Sequence, residues 1–567
     1  MIRSKSISLL LVLSVALFLG ACNRKLIQAD GIEVIDLQQQ VPVLINKSDN
    51  PLARILVVRN SKASNSTIRE VKVHIGGNVA ESEVKDLKLW VASSDGGWNM
   101  LNYKTLFSEV AGAKNNAVFK GSFEVSGDTT FFLLTCTLSP EADLAHTISA
   151  RATSLRLNDG TSASIARGQN AIDQRLGVGV RKHMDDNVHT YRIPGLATTT
   201  KGTLLGIYDV RRDKSRDLQG DIDIGVSRST DKGASWETMR IAMDKKNWGG
   251  LPEKFNGISD ANILVDEKTG TIYIAGLWMY GLLDEDGKWI EGLTEESGKW
   301  GHQWRDKASQ PGFDVKETSQ FLLTKSVDDG KTWSEPVNLT KMCKKKEWWL
   351  WAPAPGHGIS LADGTLVFPT QGRDQNGHPF SNITYSKDGG NIWVTSEPAY
   401  SNTTENMAVQ LSDGSIMLNM RYNANRGNLG DDNGRVISTT SDLGQTWTEH
   451  PTSKKALIEP TCMASIHKHY YIQNGQKKSV LFFSNPNSKE GRHHMTIKVS
   501  FDDGKTWPKK YWLLLDEGKG RGYSCLTSVD QETIGILYEG SQADMTFQRI
   551  SLTDWLDIPS TGKENQR

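Results

Sequence analysis

The alternation of apolar and polar side chains along this chain predicts an all-β protein. In one run the two kinds alternate at every second position: Met495, Ile497, Val499 and Phe501, with Thr496, Lys498 and Ser500 between them. A period of two is typical of a half-buried β-strand. Further strand-like runs occur at 271–275, 364–368, 415–421, 479–483 and 533–538. No long helical pattern follows the first 20 residues, so we expect sheets throughout.

A short phrase, Ser/Thr-x-Asp-x-Gly-x-x-Trp, occurs five times in the chain. Its copies occupy residues 229–236, 326–333, 386–393, 440–447 and 500–507. The Asp side chain can accept backbone N–H groups of its own turn and Gly supplies a positive φ, so each copy predicts a hairpin turn. The closing Trp is large enough to fill a seam between neighbouring sheets. A turn repeated five times is scaffold, since one substrate needs only one site.

The spacing of the phrase predicts a propeller. Its Asp residues stand at 231, 328, 388, 442 and 502, so the gaps are 97, 60, 54 and 60 residues. Strand-built repeats of about this length form propellers or solenoids. The long first gap leaves room for one blade that lacks the phrase, which gives six blades. We therefore expect a six-bladed β-propeller over 175–557, followed by a tail at 558–567.

The region before the propeller has a different pattern. Residues 22–170 contain no copy of the phrase, but they hold strand-like runs at 41–46, 54–59, 67–75 and 129–138, separated by Gly-Gly, Asp-Gly and Asn-Asp-Gly turns. This organisation predicts a separate β-sandwich. The polar stretch 164–174 is the expected linker to the propeller.

The N-terminus predicts export. Arg3 and Lys5 precede an apolar stretch at 7–19, which is shorter than a comfortable transmembrane helix. The following Leu-Gly-Ala-Cys sequence at 19–22 resembles a bacterial lipoprotein signal, in which residues 1–21 are removed and Cys22 is lipidated. The alternative is an ordinary secretory signal with a chance cysteine. We expect an outer-membrane lipoprotein of the bacterial cell envelope, because Asn23 replaces the Asp that often retains lipoproteins on the inner membrane.

Charge and cysteine content narrow the possible partners. The chain has 66 Lys plus Arg and 66 Asp plus Glu, so its net charge is zero and it has no general attraction to nucleic acid. Any contact with a membrane is expected only through the lipid. The remaining cysteines are widely spaced and predict buried thiols and no metal site: Cys136, Cys343, Cys462 and Cys525.

Eight short segments of the propeller region resemble those of the exo-sialidase (neuraminidase) family. The first is Tyr-Arg-Ile-Pro at 191–194, and the others follow in family order at 209–217, 259–261, 404–406, 419–421, 484–492, 522–524 and 537–539. The resemblance covers 180–557. A sandwich beside such an enzyme often binds carbohydrate, although residues 22–170 show no motif for that role.

The resemblance implies a carboxylate-binding site for a terminal sialic acid. Arg192, Arg421 and Arg492 would hold the substrate carboxylate, because the planar fork of Arg matches a carboxylate. Glu539 would balance the charge of Arg192. Arg211 and Asp260 resemble contacts to the outer substituents of the sugar ring. Arg212 competes with Arg211 for this place, because adjacent strand residues face opposite sides.

The resemblance also implies the catalytic residues Asp217, Glu405 and Tyr523. A neutral Tyr523 avoids the repulsion that a carboxylate nucleophile would meet at an anionic sugar, and sialidases are known for a Tyr nucleophile. A free phenol has a pKa near 10, so Glu405 would remove its proton during attack. Asp217 would protonate the leaving oxygen and then activate water. Two displacements at one carbon give retention.

Three alternatives share this scaffold: a trans-sialidase, an intramolecular sialidase that releases an anhydro product, and a lectin-like propeller without catalysis. The first two would use the same catalytic residues. The lectin-like reading is disfavoured because Tyr523, Asp217 and the three arginines are all present. We expect a monomeric hydrolase of sialylated glycoproteins, glycolipids or oligosaccharides that needs no cofactor.

Overall fold

The computed structural model describes residues 32–59, 66–92, 103–112, 115–126, 128–165, 171–218, 220–250, 252–281, 290, 302, 309–556 and 558. The predicted signal peptide and Cys22 lie outside the described residues. The protein is nearly all β, as predicted, and has an N-terminal β domain followed by a six-bladed β-propeller. The described helices are short, and none of them is long and apolar enough to cross a bilayer.

The N-terminal domain contains two antiparallel sheets with alternating buried and exposed positions. Its ten strands are β1 (Ile32–Leu37), β2 (Val43–Leu44), β3 (Asn50–Arg59), β4 (Ser66–Gly77), β5 (Val84–Ala92), β6 (Tyr103–Ala111), β7 (Asn115–Val125), β8 (Thr129–Leu138), β9 (Thr147–Leu157) and β10 (Ser162–Ser164). One sheet has the order β1-β3-β8-β5-β6, and the other pairs β7, β4, β9 and β10. Their inner faces share one core, which includes Phe119 and Phe132.

The strands of each blade are ordered outward from the central axis. In the first five blades the innermost strand comes first in sequence, and only the sixth blade takes its outermost strand from an earlier part of the chain. The first blade contains β12 (Thr190–Thr198), β13 (Leu204–Arg211), β14 (Ile222–Ser229) and β15 (Arg240–Met243). The second contains β16 (Asn256–Val265), β17 (Ile272–Tyr280), β18 (Gln320–Ser326) and β19 (Val337–Asn338). The third contains β20 (Leu350–Pro353), β21 (Gly356–His357), β22 (Ile359–Ser360), β23 (Leu366–Arg373), β24 (Pro379–Ser386), β25 (Val394–Thr395) and β26 (Tyr400–Ser401). In the third blade the inner strand is broken, and β21 pairs instead with β16 of the second blade.

The last three blades follow the same plan. The fourth blade contains β27 (Thr403–Gln410), β28 (Ile416–Tyr422), β29 (Val436–Thr440) and β30 (Thr448–Glu449). The fifth contains β31 (Ser465–Gln473), β32 (Gln476–Pro486), β33 (Met495–Ser500) and β34 (Leu513–Asp516). The sixth contains β35 (Ser524–Asp530), β36 (Thr533–Tyr538), β37 (Met545–Ser551) and β11 (Gln174–Arg181). The helices are α1 (Thr340–Cys343) and α2 (Leu552–Leu556), with 3-10 turns at Glu81–Glu83, Asp185–Asn187, Glu253–Phe255, Asn423–Asn425 and Lys509–Tyr511.

The ring is closed by β11, which precedes the first blade in sequence but forms the outer strand of the sixth. It pairs antiparallel with β37, so that Val178 lies opposite Phe547. Its first residues, Gln174 and Arg175, also pair with β9 of the sandwich. The sixth sheet therefore joins both ends of the propeller and links it to the N-terminal domain. Of the predicted tail at 558–567, Ile558 is described and its side chain is buried.

The expectation that the unmarked blade fills the long first gap was wrong. Between Asp231 and Asp328 the described strands complete only one blade, β16 to β19. The extra length lies between β17 and β18, where most residues from 282 to 308 are outside the described part. The blade without the phrase is the sixth. Its third and fourth strands, β37 and β11, come from opposite ends of the region, so no hairpin turn can join them.

The five repeated turns have the internal hydrogen bonds that their sequence predicts, since in each copy the Asp carboxylate accepts the backbone N–H four residues further on, at 2.8–3.0 Å. In each copy the first Ser or Thr hydroxyl donates to the Asp carboxylate at 2.7–2.8 Å and accepts the Gly N–H at 2.8–2.9 Å. Hydrogen bonds from Thr446 and Thr440 lower the pKa of Asp442 to about 2. The Trp side chain of a repeated turn packs between neighbouring blades. Trp236 of the first blade contacts Phe547 of the sixth, with ring centroids 5.1 Å apart.

The half-buried strand pattern does not describe the blades correctly. All six residues of β33 are buried, including the polar Lys498. The reason is that each blade packs against a neighbour on both faces, so alternate positions do not reach water. The Lys498 ammonium lies 4.6 Å from the centroid of the Trp512 ring, and burial lowers its pKa to about 7.

Gly233, in the first repeated turn, tests the packing of the seam. It has φ of +87°, and a Cβ there would lie 2.0 Å from Cε1 of Phe547. Gly414 has φ of +88° with nothing within 4 Å of such a Cβ. Both alanine variants bear the cost of a positive φ, but we expect Gly233→Ala to lose about 1–3 kcal/mol more stability through overpacking. Thermal unfolding of the two variants measures this difference, and equal melting temperatures would contradict it.

Candidate active site

The predicted site residues meet at the ends of strands from five of the six blades. Arg192, Asp260 and Glu405 belong to inner strands β12, β16 and β27, and each lies within a shift of strand register. Such bulges redirect side chains near functional sites. Arg211 is the last residue of β13 and Arg421 lies in β28, which are the second strands of their blades. Arg492 lies in the loop between β32 and β33, Tyr523 directly precedes β35 and Glu539 directly follows β36.

Glu539 connects Arg192 to the backbone of the neighbouring strands. Its Oε1 accepts the Arg192 Nε at 2.5 Å and the Ile193 N–H at 3.0 Å, and its Oε2 accepts the Tyr523 N–H at 3.0 Å. Burial alone would raise the pKa of Glu539, but Arg192 and the two backbone donors hold it below its usual range. The ionised carboxylate therefore fixes Arg192 and Tyr523 relative to each other.

Tyr523 and Glu405 form a second hydrogen-bonded unit. The buried Tyr523 hydroxyl donates to the Glu405 carboxylate. The Arg421 Nη1 donates to Glu405 at 2.6 Å and to the Tyr523 hydroxyl oxygen at 3.3 Å. Burial raises the pKa of Tyr523 well above its usual value, and the Glu405 carboxylate raises it further, while Arg421 opposes them. The phenol of the resting site is therefore neutral, and its hydroxyl is already hydrogen-bonded to the Glu405 carboxylate.

The three predicted guanidiniums surround Tyr523. The Cζ atoms of Arg192 and Arg492 lie 5.6 Å and 5.4 Å from the centroid of its ring, and Arg421 contacts its hydroxyl. The Arg492 Nη1 also donates a hydrogen bond to the Arg521 carbonyl oxygen at 2.9 Å. Positive charge is thus concentrated around one phenol, which suits an anionic ligand.

Asp217 stands at the mouth of this cluster, in the connection between β13 and β14. Its side chain is 70% exposed, and its Oδ1 lies 2.5 Å from the Arg211 Nη1 and 3.8 Å from the Arg192 Nη1. Partial burial would raise the pKa of Asp217, but Arg211 and Arg192 lower it below its usual value. The carboxylate is ionised while the site is empty of substrate.

The structure places Arg211, and not Arg212, in the site. The buried Arg211 guanidinium binds Asp209 at 2.8 Å, Asp217, and the Ser215 carbonyl at 2.9 Å. Arg212 instead pairs with Asp223, away from Tyr523. Neighbouring side chains of a strand face opposite sides, which explains the choice.

Asp260 lies among the other carboxylates of the site. Burial raises its pKa well above the usual value, and Glu405, Asp209 and Asp217 raise it further. Its backbone φ is +55°, an unusual conformation for a non-glycine residue. Its surroundings therefore favour the protonated form of Asp260 more than those of an exposed carboxylate would.

Comparison with known proteins gives matches to one family. Residues 203–536 match the BNR repeat-like domain, and residues 29–161 match the N-terminal domain of BNR-repeat neuraminidase. A sialidase of Bacteroides fragilis is 40% identical over 96% of this chain and 99% of its own. A sialidase of Micromonospora viridifaciens is 30% identical over 62% of this chain and 50% of its own.

A solved structure gives the same result. The Hadza microbial sialidase Hz136 superposes with a TM-score of 0.82 at 37% identity, over 92% of this chain and all of that one. The chain belongs to the BNR-repeat neuraminidase family. Like its sialidase relatives, it is a glycoside hydrolase.

Two residues of this sialidase site were missed in the sequence. Asp209 is fully buried and accepts Arg211 and the Ser259 hydroxyl at 2.6 Å, and burial raises its pKa to about 6. Asp209 precedes Arg211 by two positions on one strand, so both side chains face the same side, and this spacing could have revealed Asp209. Cys462 is buried beside Gly522, and nothing in its sequence context indicates this place.

Gly522 explains why a glycine precedes the tyrosine of this sialidase. It has φ of +88°, and a Cβ there would lie 2.9 Å from Pro486, 3.0 Å from Arg492 Cβ and 3.1 Å from Cys462 Sγ. The Cys462 thiol is closely packed, and burial raises its pKa to about 12. It is one of four described cysteines that are buried and free, as predicted.

Glu539→Gln tests the connecting role of this carboxylate. The substitution keeps the shape but leaves the buried Arg192 cation without its counter-charge, so we expect a loss of about 3 kcal/mol in unfolding free energy. Chemical denaturation monitored by Trp fluorescence measures it. The control is Glu335→Gln, an exposed position on the outer edge of the second blade. An equally small change in both variants would show that Glu539 does not hold the site together.

Proposed function

We propose that this protein is a retaining exo-sialidase that removes terminal α-linked sialic acid through a covalent tyrosyl intermediate. The observation that supports it best is the Tyr523 hydroxyl, which is bound to both Glu405 and Arg421 while Arg192 and Arg492 face its ring. Three guanidiniums beside a phenol suit a substrate that has a carboxylate on its reacting carbon.

Substrate binding is expected to use the three arginines. The carboxylate of sialic acid would lie between Arg192, Arg421 and Arg492, whose planar forks can each donate two hydrogen bonds. Glu539 holds Arg192 in its orientation, and Glu405 does the same for Arg421. Arg211 and Asp260 would contact the outer substituents of the ring, as the family resemblance implies.

In the first step, the Tyr523 oxygen would attack the anomeric carbon while its proton passes to Glu405. The glycosidic C–O bond breaks, and Asp217 gives its proton to the departing oxygen. Asp217 is ionised in the free site because Arg211 and Arg192 attract its charge. Binding of the substrate carboxylate to Arg192 weakens that attraction, so substrate binding itself favours the protonated, acidic form.

In the second step, Asp217 would take a proton from water as that water attacks the anomeric carbon. The Tyr523 oxygen leaves and recovers its proton from Glu405, which restores the resting site. Two inversions at one carbon give net retention. The side chain of Asp217 is exposed at the mouth of the site, where both the leaving group and the water must pass.

NMR spectroscopy of the product directly tests the proposed reaction. With 3′- and 6′-sialyllactose as substrates, we expect the α anomer of free sialic acid to form first and then to mutarotate to the β anomer. The β anomer as first product would overturn the retaining mechanism. Transfer of the sugar to lactose, or an anhydro product, would show that the enzyme is a trans-sialidase or an intramolecular sialidase.

Tyr523→Phe tests the nucleophile. The variant loses the attacking oxygen but keeps the ring packed between Arg192 and Arg492, so we expect turnover to fall by at least about 10³-fold with an unchanged melting temperature. A fluorogenic α-sialoside measures the rate. Tyr470→Phe, on an exposed tyrosine of the fifth blade, is the matched control and should keep full activity. Near wild-type turnover of Tyr523→Phe would exclude the tyrosyl intermediate.

The natural substrates are expected to be sialylated glycoproteins, glycolipids or oligosaccharides. We further propose that the enzyme acts as a monomer on the bacterial envelope, held by a lipid on Cys22. The support is the signal-like sequence before Cys22. Labelling with a palmitate analogue in a bacterial host, compared between the wild type and Cys22→Ser, tests the anchor.

A further inference from the structure

Asp209 is a buried carboxylate beside the site that the proposed reaction does not use. It lies in β13 with no exposed surface, directly opposite Arg192 of the neighbouring strand β12. Residues that lie opposite each other in an antiparallel pair have their side chains on the same face of the sheet. Asp209 is therefore next to the catalytic cluster, although its burial keeps it out of contact with a substrate.

Asp209 binds one edge of the Arg211 guanidinium. Its Oδ2 accepts the Arg211 Nη2 at 2.8 Å and the Arg211 Nε at 3.1 Å. The Ser259 hydroxyl of the second blade donates to the same oxygen at 2.6 Å. The Arg211 side chain is itself buried, so these bonds fix the direction in which its remaining N–H groups point.

The opposite end of the same guanidinium holds Asp217 and the loop that carries it. The Arg211 Nη1 donates to the Asp217 Oδ1 at 2.5 Å and to the Ser215 carbonyl oxygen at 2.9 Å. Because most of the Asp217 side chain is exposed, packing does little to orient its carboxylate. The position of Asp217 therefore depends on a guanidinium that Asp209 holds from behind.

Asp209 also shares the charge of Arg211 with Asp217. One guanidinium forms ion pairs with both carboxylates. Burial raises the pKa of Asp209 to about 6, so Asp209 is an anion above that pH. An anion at this place repels the Asp217 carboxylate and offsets part of the attraction that Arg211 exerts on it.

We propose that Asp209 is a positioning residue that acts on the acid–base group Asp217 through Arg211. Asp209 orients the guanidinium that holds Asp217, and its charge makes it easier for Asp217 to take up the proton that it must give to the leaving group. The Ser259 hydroxyl belongs to the same chain of contacts, because it holds Asp209. This inference rests on the proposed exo-sialidase function and adds to it a residue that touches no substrate.

The other charged groups around this chain of contacts stay in place when Asp209 is substituted. Arg192 and Arg492 lower the pKa of Asp217. The Asp260 carboxyl of β16 lies near both Asp209 and Asp217, which raise its pKa. A changed acidity of Asp217 in an Asp209 variant therefore reports on the contacts and the charge of Asp209.

Two substrates with different leaving groups test the proposal, because Asp217 is the group that protonates the leaving oxygen. Release of lactose from 3′-sialyllactose requires that proton, whereas 4-nitrophenyl α-sialoside releases a phenolate that needs little protonation. Both substrates contain the same sialic acid, so any effect of Arg211 on binding of that sugar is common to the two. The measured quantity is kcat/KM, which covers the steps up to departure of the leaving group.

The enzyme is the full mature chain, as wild type, Asp209→Asn and Asp223→Asn. The last variant is the matched control. Asp223 is a buried carboxylate of the adjacent strand β14, and it pairs with Arg212, which faces the other side of β13 from Arg211. The control thus also loses an ion pair of the first blade, but the contacts of Asp209 remain. The melting temperature of each variant shows whether it is folded.

We expect Asp209→Asn to lose about tenfold in kcat/KM on 3′-sialyllactose and less than about threefold on the nitrophenyl sialoside. Asp223→Asn should change kcat/KM equally little on both. Single-turnover cleavage of 3′-sialyllactose by excess enzyme gives the pH dependence of the first step, whose rate falls above the pKa of Asp217 in the complex. Without the negative charge of Asp209, this fall should move to lower pH by about one unit.

Equal losses on the two substrates, with an unchanged pH dependence, would overturn the inference and leave Asp209 a purely structural role. Unchanged kinetics of Asp209→Asn would do the same. If Asp209→Asn does not fold, Ser259→Ala replaces it, since this variant removes one hydrogen bond to Asp209 and keeps every charge. We then expect a loss that is about threefold larger on 3′-sialyllactose than on the nitrophenyl sialoside, and equal losses would overturn the inference. Hydrolysis of neither substrate by the wild type would instead overturn the proposed function.

Discussion

The buried contact between Arg192 and Glu539 is the interaction on which the site depends. One carboxylate binds a guanidinium from the first blade and two backbone N–H groups, one beside Arg192 and one on Tyr523. A buried charge pair is tolerated only when its remaining hydrogen-bonding capacity is satisfied. Here that condition places a cation of the first blade and the phenol of the sixth in one rigid unit.

The position of that unit follows from ring closure. The first and sixth blades meet because β11, from the start of the propeller region, completes the sheet that begins with β35. The same strand continues pairing into the sandwich through β9. The N-terminal domain is therefore attached to the blade that carries Tyr523, whatever its own function, and it supports the closure of the ring.

Charge balance then gives each ionisable group of the site a different state. Arg192 and backbone donors lower the pKa of Glu539 below its usual value, whereas burial and other carboxylates raise the pKa of Asp260 well above it. Tyr523 is neutral because burial and Glu405 both oppose its ionisation. Carboxylates with intrinsically similar acidity thus have different pKa values within one small site.

Much of the molecule could be predicted from the sequence, because some properties are local. The five turns follow from Asp and Gly at fixed spacing, and Tyr523 was found by its family motif. Contacts between distant segments could not be read in this way. The tertiary structure alone decided that the sixth blade lacks the turn, that Lys498 is buried and that Asp209 supports Arg211. The physical reason is that burial and charge depend on neighbours from other blades, and ring closure determines which blades are neighbours.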